Sequence, residues 1–117
     1  MIGIDLVEVD RIKKALKKDS FINKILTQKE IEYVNSFKNK ESHIAGFFAV
    51  KEAVMKALEQ CEKIGFTEIE VFHYSSGKPY VELYGNAKQV FEMSKYSIVE
   101  VSISQTENYA TAMCILK

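Results

Sequence analysis

Cysteine is scarce in this chain: Cys61 and Cys114 are the only two among 117 residues, with no Cys-x-x-Cys spacing and no histidine pair beside them. That excludes a zinc-finger module and a disulfide scaffold, and both thiols are expected to be reduced. Neither sits beside an obvious activating base, so neither is assigned a catalytic role. Net charge is missing as well, since 16 lysines and arginines balance 16 acids. No global field draws the chain to nucleic acid or membrane, and electrostatic recognition has to come from a local patch. Apolar runs long enough to span a bilayer are absent. Met1 leads straight into strand-like sequence without the basic and apolar segments of a secretory leader, which makes a cytoplasmic location the expectation. No repeat, low-complexity tract or linker interrupts the chain. A hydrophobic content of 47% suits one domain, residues 1–117, large enough for a real core but small for a deep catalytic cleft. An interface between copies is one way to supply the missing wall.

What is present reads as a short strand, a helical half and a mainly β half, an α+β arrangement. In Met1–Val7, alternation sets Ile2, Ile4 and Leu6 on one face of a strand and Gly3, Asp5 and Val7 on the other. Asp10 is placed to cap a helix through about Lys18, and Thr27 with Glu30 forms a capping-box pattern for a helix reaching about Phe37. After a loop near Asn39–Ser42, a long central helix is predicted from His43 to Gln60. Its Phe47, Val50, Val54 and Leu58 stripe is core by helical spacing. Glu68–Tyr74 and Tyr80–Tyr84 form a hairpin around the turn Ser75–Pro79, in which Gly77 and Pro79 are natural turn formers. Asn86–Met93 is helical, and strands Ile98–Ile103 and Ala110–Leu116 flank the polar turn Ser104–Asn108.

Two acids and a lysine stand out. Glu52 and Lys56 lie one turn apart in the apolar central helix, and Asp5 lies in an apolar strand. An unpaired carboxylate there costs several kcal/mol or shifts its pKa, so Asp5 needs a hydrogen bond, a salt bridge or a cation. Taken singly, Glu52 and Lys56 match the commonest surface ion pair on a helix, worth about 0.3–0.5 kcal/mol, and Asp5 matches a loop-bonded acid. Together they form a candidate site. The other concentration of charge is Arg11, Lys13, Lys14, Lys17 and Lys18, five cations within eight residues. In helical projection Arg11, Lys14 and Lys18 share a face, with Ile12 and Leu16 forming an apolar strip. That is either a solvated basic face or a dock for an acidic partner helix. RNA is a poor fit, because no aromatic stacking platform accompanies the cations.

Ordered along the whole chain, Gly3-Ile4-Asp5-Leu6-Val7 with Arg11-Ile12, Phe48-Ala49-Val50-Lys51-Glu52-Ala53 with Lys56-Ala57, Gly77-Lys78-Pro79-Tyr80, and Ser102-Ile103-Ser104 before Tyr109-Ala110 resemble the holo-acyl-carrier-protein synthase family. The resemblance implies a 4′-phosphopantetheinyl transferase-like fold, an antiparallel sheet packed on the long central helix, and a homotrimer with sites between subunits. It implies transfer of phosphopantetheine from coenzyme A to a serine of acyl carrier protein, in fatty acid biosynthesis, releasing 3′,5′-ADP with Mg²⁺ required. Asp5, Glu52 and Lys56 become the expected catalytic residues, with Asp5 and Glu52 as metal ligands. Lys56, Gly77, Lys78, Pro79, Gln105 and Thr106 become coenzyme A contacts, and Arg11, Ile12, Lys14 and Lys18 the carrier-protein surface.

The residue chemistry agrees, since splitting a pyrophosphate calls for charge neutralisation more than for covalent catalysis. Mg²⁺ takes one or two protein carboxylates and completes its octahedron with water and phosphate. Three departures bear on the nucleotide end of coenzyme A. Phe47 stands where a basic residue is frequent in the family, Gln105 where histidine is frequent, and Glu59–Gly65 replaces a glycine-rich loop. Fewer cations weaken contacts to a 3′-phosphate, for which Lys78, Thr106, Gln105 and, less favourably placed, Lys63 are the available substitutes. Two other readings are a coenzyme A or carrier-binding relative without turnover and a small α+β assembly protein.

Overall fold

The computed structural model describes residues 1–117. In chain order it contains β1 (Ile2–Glu8), α1 (Val9–Ala15), α2 (Asp19–Ile25), α3 (Gln28–Asn35), α4 (Lys40–Leu58), a 3-10 turn (Phe66–Glu68), β2 (Ile69–His73), β3 (Pro79–Leu83), α5 (Gly85–Met93), β4 (Val99–Gln105) and β5 (Tyr109–Leu116). The mixed α+β class matches the sequence expectation. β5 is the middle strand of an antiparallel sheet ordered β1-β5-β4, and β2 and β3 form a separate antiparallel hairpin. Register sets Asp5 opposite Ala112, which in turn lies opposite Ile103.

Helix α4 is the spine. Ile44, Phe47, Ala49, Val50, Ala53, Val54, Ala57 and Leu58 are all buried, so the helix is apolar around most of its circumference and is covered by the three-stranded sheet and the smaller helices. The predicted stripe is core, and Phe47 packs beside the stacked rings of Tyr33 and His73, with ring centroids 5.6 and 5.7 Å away. Strand β1 turns Gly3 and Val7 inward, while Ile2, Ile4 and Leu6 remain 61%, 57% and 67% exposed on the outer face. The alternation was legible, but its apolar side is the outer one in the protomer.

Several boundaries move. The first helix ends at Ala15 rather than near Lys18, and its cap residue is Glu8, with Asp10 inside the first turn. Lys18 is extended and precedes α2, a helix that the sequence did not announce because it has seven residues and no side-chain cap. Physically, the cations gather at the end of α1 and Asp19 opens α2, each sign facing the helix terminus that favours it. Arg11, Lys14 and Lys18 consequently do not share one helical face. The central helix begins at Lys40, not His43, because nothing in Lys40–Ser42 interrupts it, and it stops at Leu58 where Glu59 turns left-handed at φ 59°. The Thr27–Glu30 capping box is present as expected.

Candidate active site

The approach of β1 to α4 builds the site. Gly3 meets the backbone of α4 at Ala53 and Ala57, where small residues on both sides let strand and helix come close. Two residues further along the same strand face, Asp5 is carried to α4, its side chain 16% exposed. Lys56 donates to Asp5 Oδ1 at 3.1 Å and to the Ile4 carbonyl oxygen at 3.0 Å. Thr111 on the neighbouring strand donates its hydroxyl to the Asp5 carbonyl oxygen at 2.8 Å, which ties down the backbone behind the carboxylate.

Glu52 stands one turn before Lys56. Burial pushes its pKa up, the nearby Asp5 charge pushes it further, and Lys56 opposes both. The two acids therefore feel each other across a partly desolvated space. They line a cavity of about 240 Å³ together with Arg11, Ile12, Phe21 and Phe48. Five residues dispersed in sequence, namely Asp5, Arg11, Ile12, Glu52 and Lys56, are thus brought to one place, two carboxylates flanked by a guanidinium and an ammonium. Such a set can neutralise a phosphoanhydride and accept a proton beside it.

The remaining expected site residues lie elsewhere. Lys78 and Pro79 line another cavity, of about 190 Å³, with Glu100, Ser102 and Met113. Gly77 is at the hairpin tip with φ +92°, so its turn-forming role is real. Gln105 ends β4 with its amide nitrogen 3.4 Å from His43 Nδ1, and its Oε1 crowds the space above Gly46. The Thr106 hydroxyl accepts from the backbone of Asn108 at 3.3 Å and Tyr109 at 3.1 Å, holding the β4–β5 turn. Lys14 pairs with Asp10 at 3.5 Å on an exposed surface. Lys63, the least favoured substitute in the sequence, shares a cavity of about 430 Å³ with Lys56 and Cys61. Burial pushes the Cys114 thiol up to about 12, in keeping with an inert core cysteine.

Sequence reasoning missed Phe21, which lies on the unannounced α2, and passed over Phe48 although it stands within the most distinctive motif. It also missed the partners of Lys51, which follow from no local pattern.

A profile of the 4′-phosphopantetheinyl transferase superfamily matches residues 1–114. The chain belongs to that superfamily. Among the relatives of this transferase chain, holo-[acyl-carrier-protein] synthase of Caldicellulosiruptor saccharolyticus is 44% identical over 114 residues, covering 97% of this chain and 93% of the relative. The Helicobacter pylori holo-[acyl-carrier-protein] synthase, solved in complex with coenzyme A, superposes with a TM-score of 0.87 at 32% identity, with 100% of each chain covered. The Bacillus anthracis synthase, solved in complex with CoA (3′,5′-ADP), gives 0.81 at 34% identity over 98% of this chain and 93% of that one.

Proposed function

We propose that this chain transfers 4′-phosphopantetheine from coenzyme A to a serine of apo acyl carrier protein and releases 3′,5′-ADP, as a holo-[acyl-carrier-protein] synthase of fatty acid biosynthesis. The observation that carries the reading is the convergence of Asp5, Glu52 and Arg11 on one cavity, with Lys56 paired to Asp5 at its edge. In the transfer, the serine oxygen bonds to the phosphorus that carries pantetheine, the bond from that phosphorus to the departing 3′,5′-ADP breaks, and the serine proton moves to a base. Glu52 fits the base, because a raised carboxyl pKa makes its anion a stronger proton acceptor. Lys56, already held beside Asp5, supplies positive charge where negative charge grows on the leaving phosphate.

The donor set also fits Mg²⁺. Asp5 and Glu52 offer hard carboxylate oxygens, near enough for one charge to perturb the other, and leave the rest of a coordination shell to water and substrate phosphate. Bound there, Mg²⁺ would neutralise the pyrophosphate. The acidic carrier protein would approach over Arg11, Ile12, Lys14 and Lys18. Within this reading, Gly77, Lys78, Pro79, Gln105 and Thr106 serve the nucleotide end of coenzyme A.

Residues 1–117 act here as one transferase domain, placed in the cytoplasm and assembled as a homotrimer with sites between subunits. Two features support the assembly. The outer face of β1 leaves Ile2, Ile4 and Leu6 exposed, with Met113 beside Ile4, an apolar patch that a second copy would cover. Lys78 and Pro79 line a different cavity from Asp5 and Glu52, and that cavity includes Met113 of the same patch. Apposed copies can unite the two half-sites. No helix is long and apolar enough to cross a membrane.

The test is mass spectrometry of apo acyl carrier protein incubated with this protein, coenzyme A and Mg²⁺. A phosphopantetheine adduct with stoichiometric 3′,5′-ADP is expected. An unmodified cognate carrier would overturn the reading.

A further inference from the structure

Lys51 precedes Glu52 in α4 but points the other way, into the protein. Its side chain and that of Glu30 are both 0% exposed, and their charges meet at 2.7 Å. The same ammonium donates to the Ile25 carbonyl oxygen at 2.6 Å and to the Phe66 carbonyl oxygen at 3.0 Å, so its three N–H groups have three acceptors. Those acceptors belong to the end of α2, the first turn of α3 and the 3-10 turn. Glu30 is itself held on three sides, accepting from Thr27 N at 2.8 Å and Val71 N at 2.7 Å as well as from Lys51. A second buried acid, Glu70, closes the cluster by accepting from Thr27 Oγ1 at 2.6 Å and Tyr84 OH at 3.0 Å. Burial lowers the pKa of Lys51, opposed chiefly by Glu30 and then by Glu70.

A buried ion pair of this kind is not needed to stabilise a helix at this position. Well-packed apolar residues of similar volume are commonly as stable or more so, because desolvating two charges offsets most of their attraction. What the tripod supplies is direction, since an ammonium with acceptors from three separate segments permits one rotation of α4 about its axis. Glu52 depends on that rotation. Lys56 donates to Asp5 and to the Ile4 carbonyl oxygen and not to Glu52, whose carboxylate takes part in no side-chain hydrogen bond, so its aim follows from the helix that carries it. On the opposite side, the contact of Gly3 with Ala53 and Ala57 limits the approach of β1. Glu52 and Asp5 are thus fixed relative to each other by Lys51 from one side and Gly3 from the other.

We propose that Lys51 is a positioning residue for the transfer reaction, its buried contacts to Glu30, Ile25 and Phe66 setting the rotation of α4 that aims Glu52 at Asp5. The inference rests on the transferase reading above and adds to it a residue that touches neither substrate.

The test uses the full chain carrying Lys51→Met with Glu30→Gln, which removes both charges and leaves no uncompensated buried carboxylate. All chains are compared well below their unfolding transitions, with oligomeric state measured alongside. Loss of the tether should lower kcat about 10-fold or more while the KM for carrier protein stays within about twofold, since metal-site support residues act at that scale. Mn²⁺ binding in the presence of coenzyme A, followed by electron paramagnetic resonance without carrier protein, should weaken about 10-fold. A packing residue would move thermal stability and leave kcat and Mn²⁺ binding alone. If the double variant does not fold, Glu30→Gln by itself decides, with the same pattern expected at several-fold size. A folded variant with wild-type kcat and Mn²⁺ binding overturns the role of Lys51 while the transferase reading stands. A wild-type chain that loads no carrier protein overturns both.

Discussion

Gly3 and Ala53 touch backbone to backbone: a Cβ added at Gly3 would collide with the Ala53 carbonyl oxygen and stand 2.8 Å from the Ala57 nitrogen. No side chain can swing away to relieve that clash, so strand and helix must separate. Gly3→Ala is expected to destabilise the fold by about 1–3 kcal/mol, in the range of overpacked cores. It should also lower the transfer rate at temperatures where the variant is folded, because Asp5 moves with the strand. Thermal denaturation and the adduct assay, run on the same preparation, check both outcomes.

Glu52 and Asp5 invite substitutions that test their proposed role in the transfer. Asp5→Ala and Glu52→Ala should each reduce transfer about 100-fold or more, the scale of a lost electrostatic contact to a developing charge. Near-normal turnover at limiting Mg²⁺ would reject their assignment as ligands.

The raised pKa of Glu52 adds a stability signature. A carboxyl that holds its proton more tightly folded than unfolded makes stability fall as pH rises from the ordinary carboxylate range through the raised value. Glu52→Gln removes that penalty, so its Tm should exceed the wild-type value at about pH 7 and converge with it below about pH 4. A Tm difference independent of pH would show that Glu52 pays no desolvation cost.

Lys56 makes a half-exposed pair with Asp5, and such pairs contribute under about 1 kcal/mol. Lys56→Ala should therefore leave stability nearly unchanged while kcat falls about 100-fold. If assembly changed and kcat did not, Lys56 would be structural.

On the proposed carrier-protein surface the structure breaks the symmetry of the basic run. Arg11 opens onto the Asp5–Glu52 cavity, whereas Lys14 is occupied by Asp10. Arg11→Glu should raise the KM for carrier protein about 10-fold, more than Lys14→Glu and more than its effect on the KM for coenzyme A. Added salt should reproduce the direction, since exposed charges are screened over about 8–10 Å. Equal losses toward both substrates would refute this division.

At the proposed nucleotide end, Gln105→His is the informative substitution and Phe47→Arg the damaging one. Phe47 is 1% exposed within an aromatic stack, so placing a guanidinium there should cost about 3 kcal/mol or more. Position 105 ends β4 beside His43, and its side chain is partly exposed. When protonated, that imidazole should favour coenzyme A over its 3′-dephosphorylated form through a charge-assisted hydrogen bond. An unchanged ratio of kcat/KM for the two substrates at a pH that charges the imidazole would show that position 105 does not read the phosphate.

Much of this protein follows from local pattern. Period-two alternation placed Asp5 and Gly3 on one strand face, helical spacing predicted the Phe47–Leu58 core stripe, and the Thr27–Glu30 box marked the start of α3. Order and spacing of short motifs were enough to point to the family. These features depend on residues within a turn or two of each other, and that is the range over which backbone geometry repeats. What only the tertiary structure decided lies at longer range. It separated Lys18 from the face of Arg11, ended the first helix at Ala15 and added α2, set Lys63 rather than Thr106 near Lys56, and joined Lys51 to Glu30 across 21 positions. It also turned the apolar side of β1 outward, because the other side had to admit α4 at Gly3. Such contacts are selected by packing and by the need to partner every buried charge, conditions that apply to the folded whole and leave no periodic trace in the sequence.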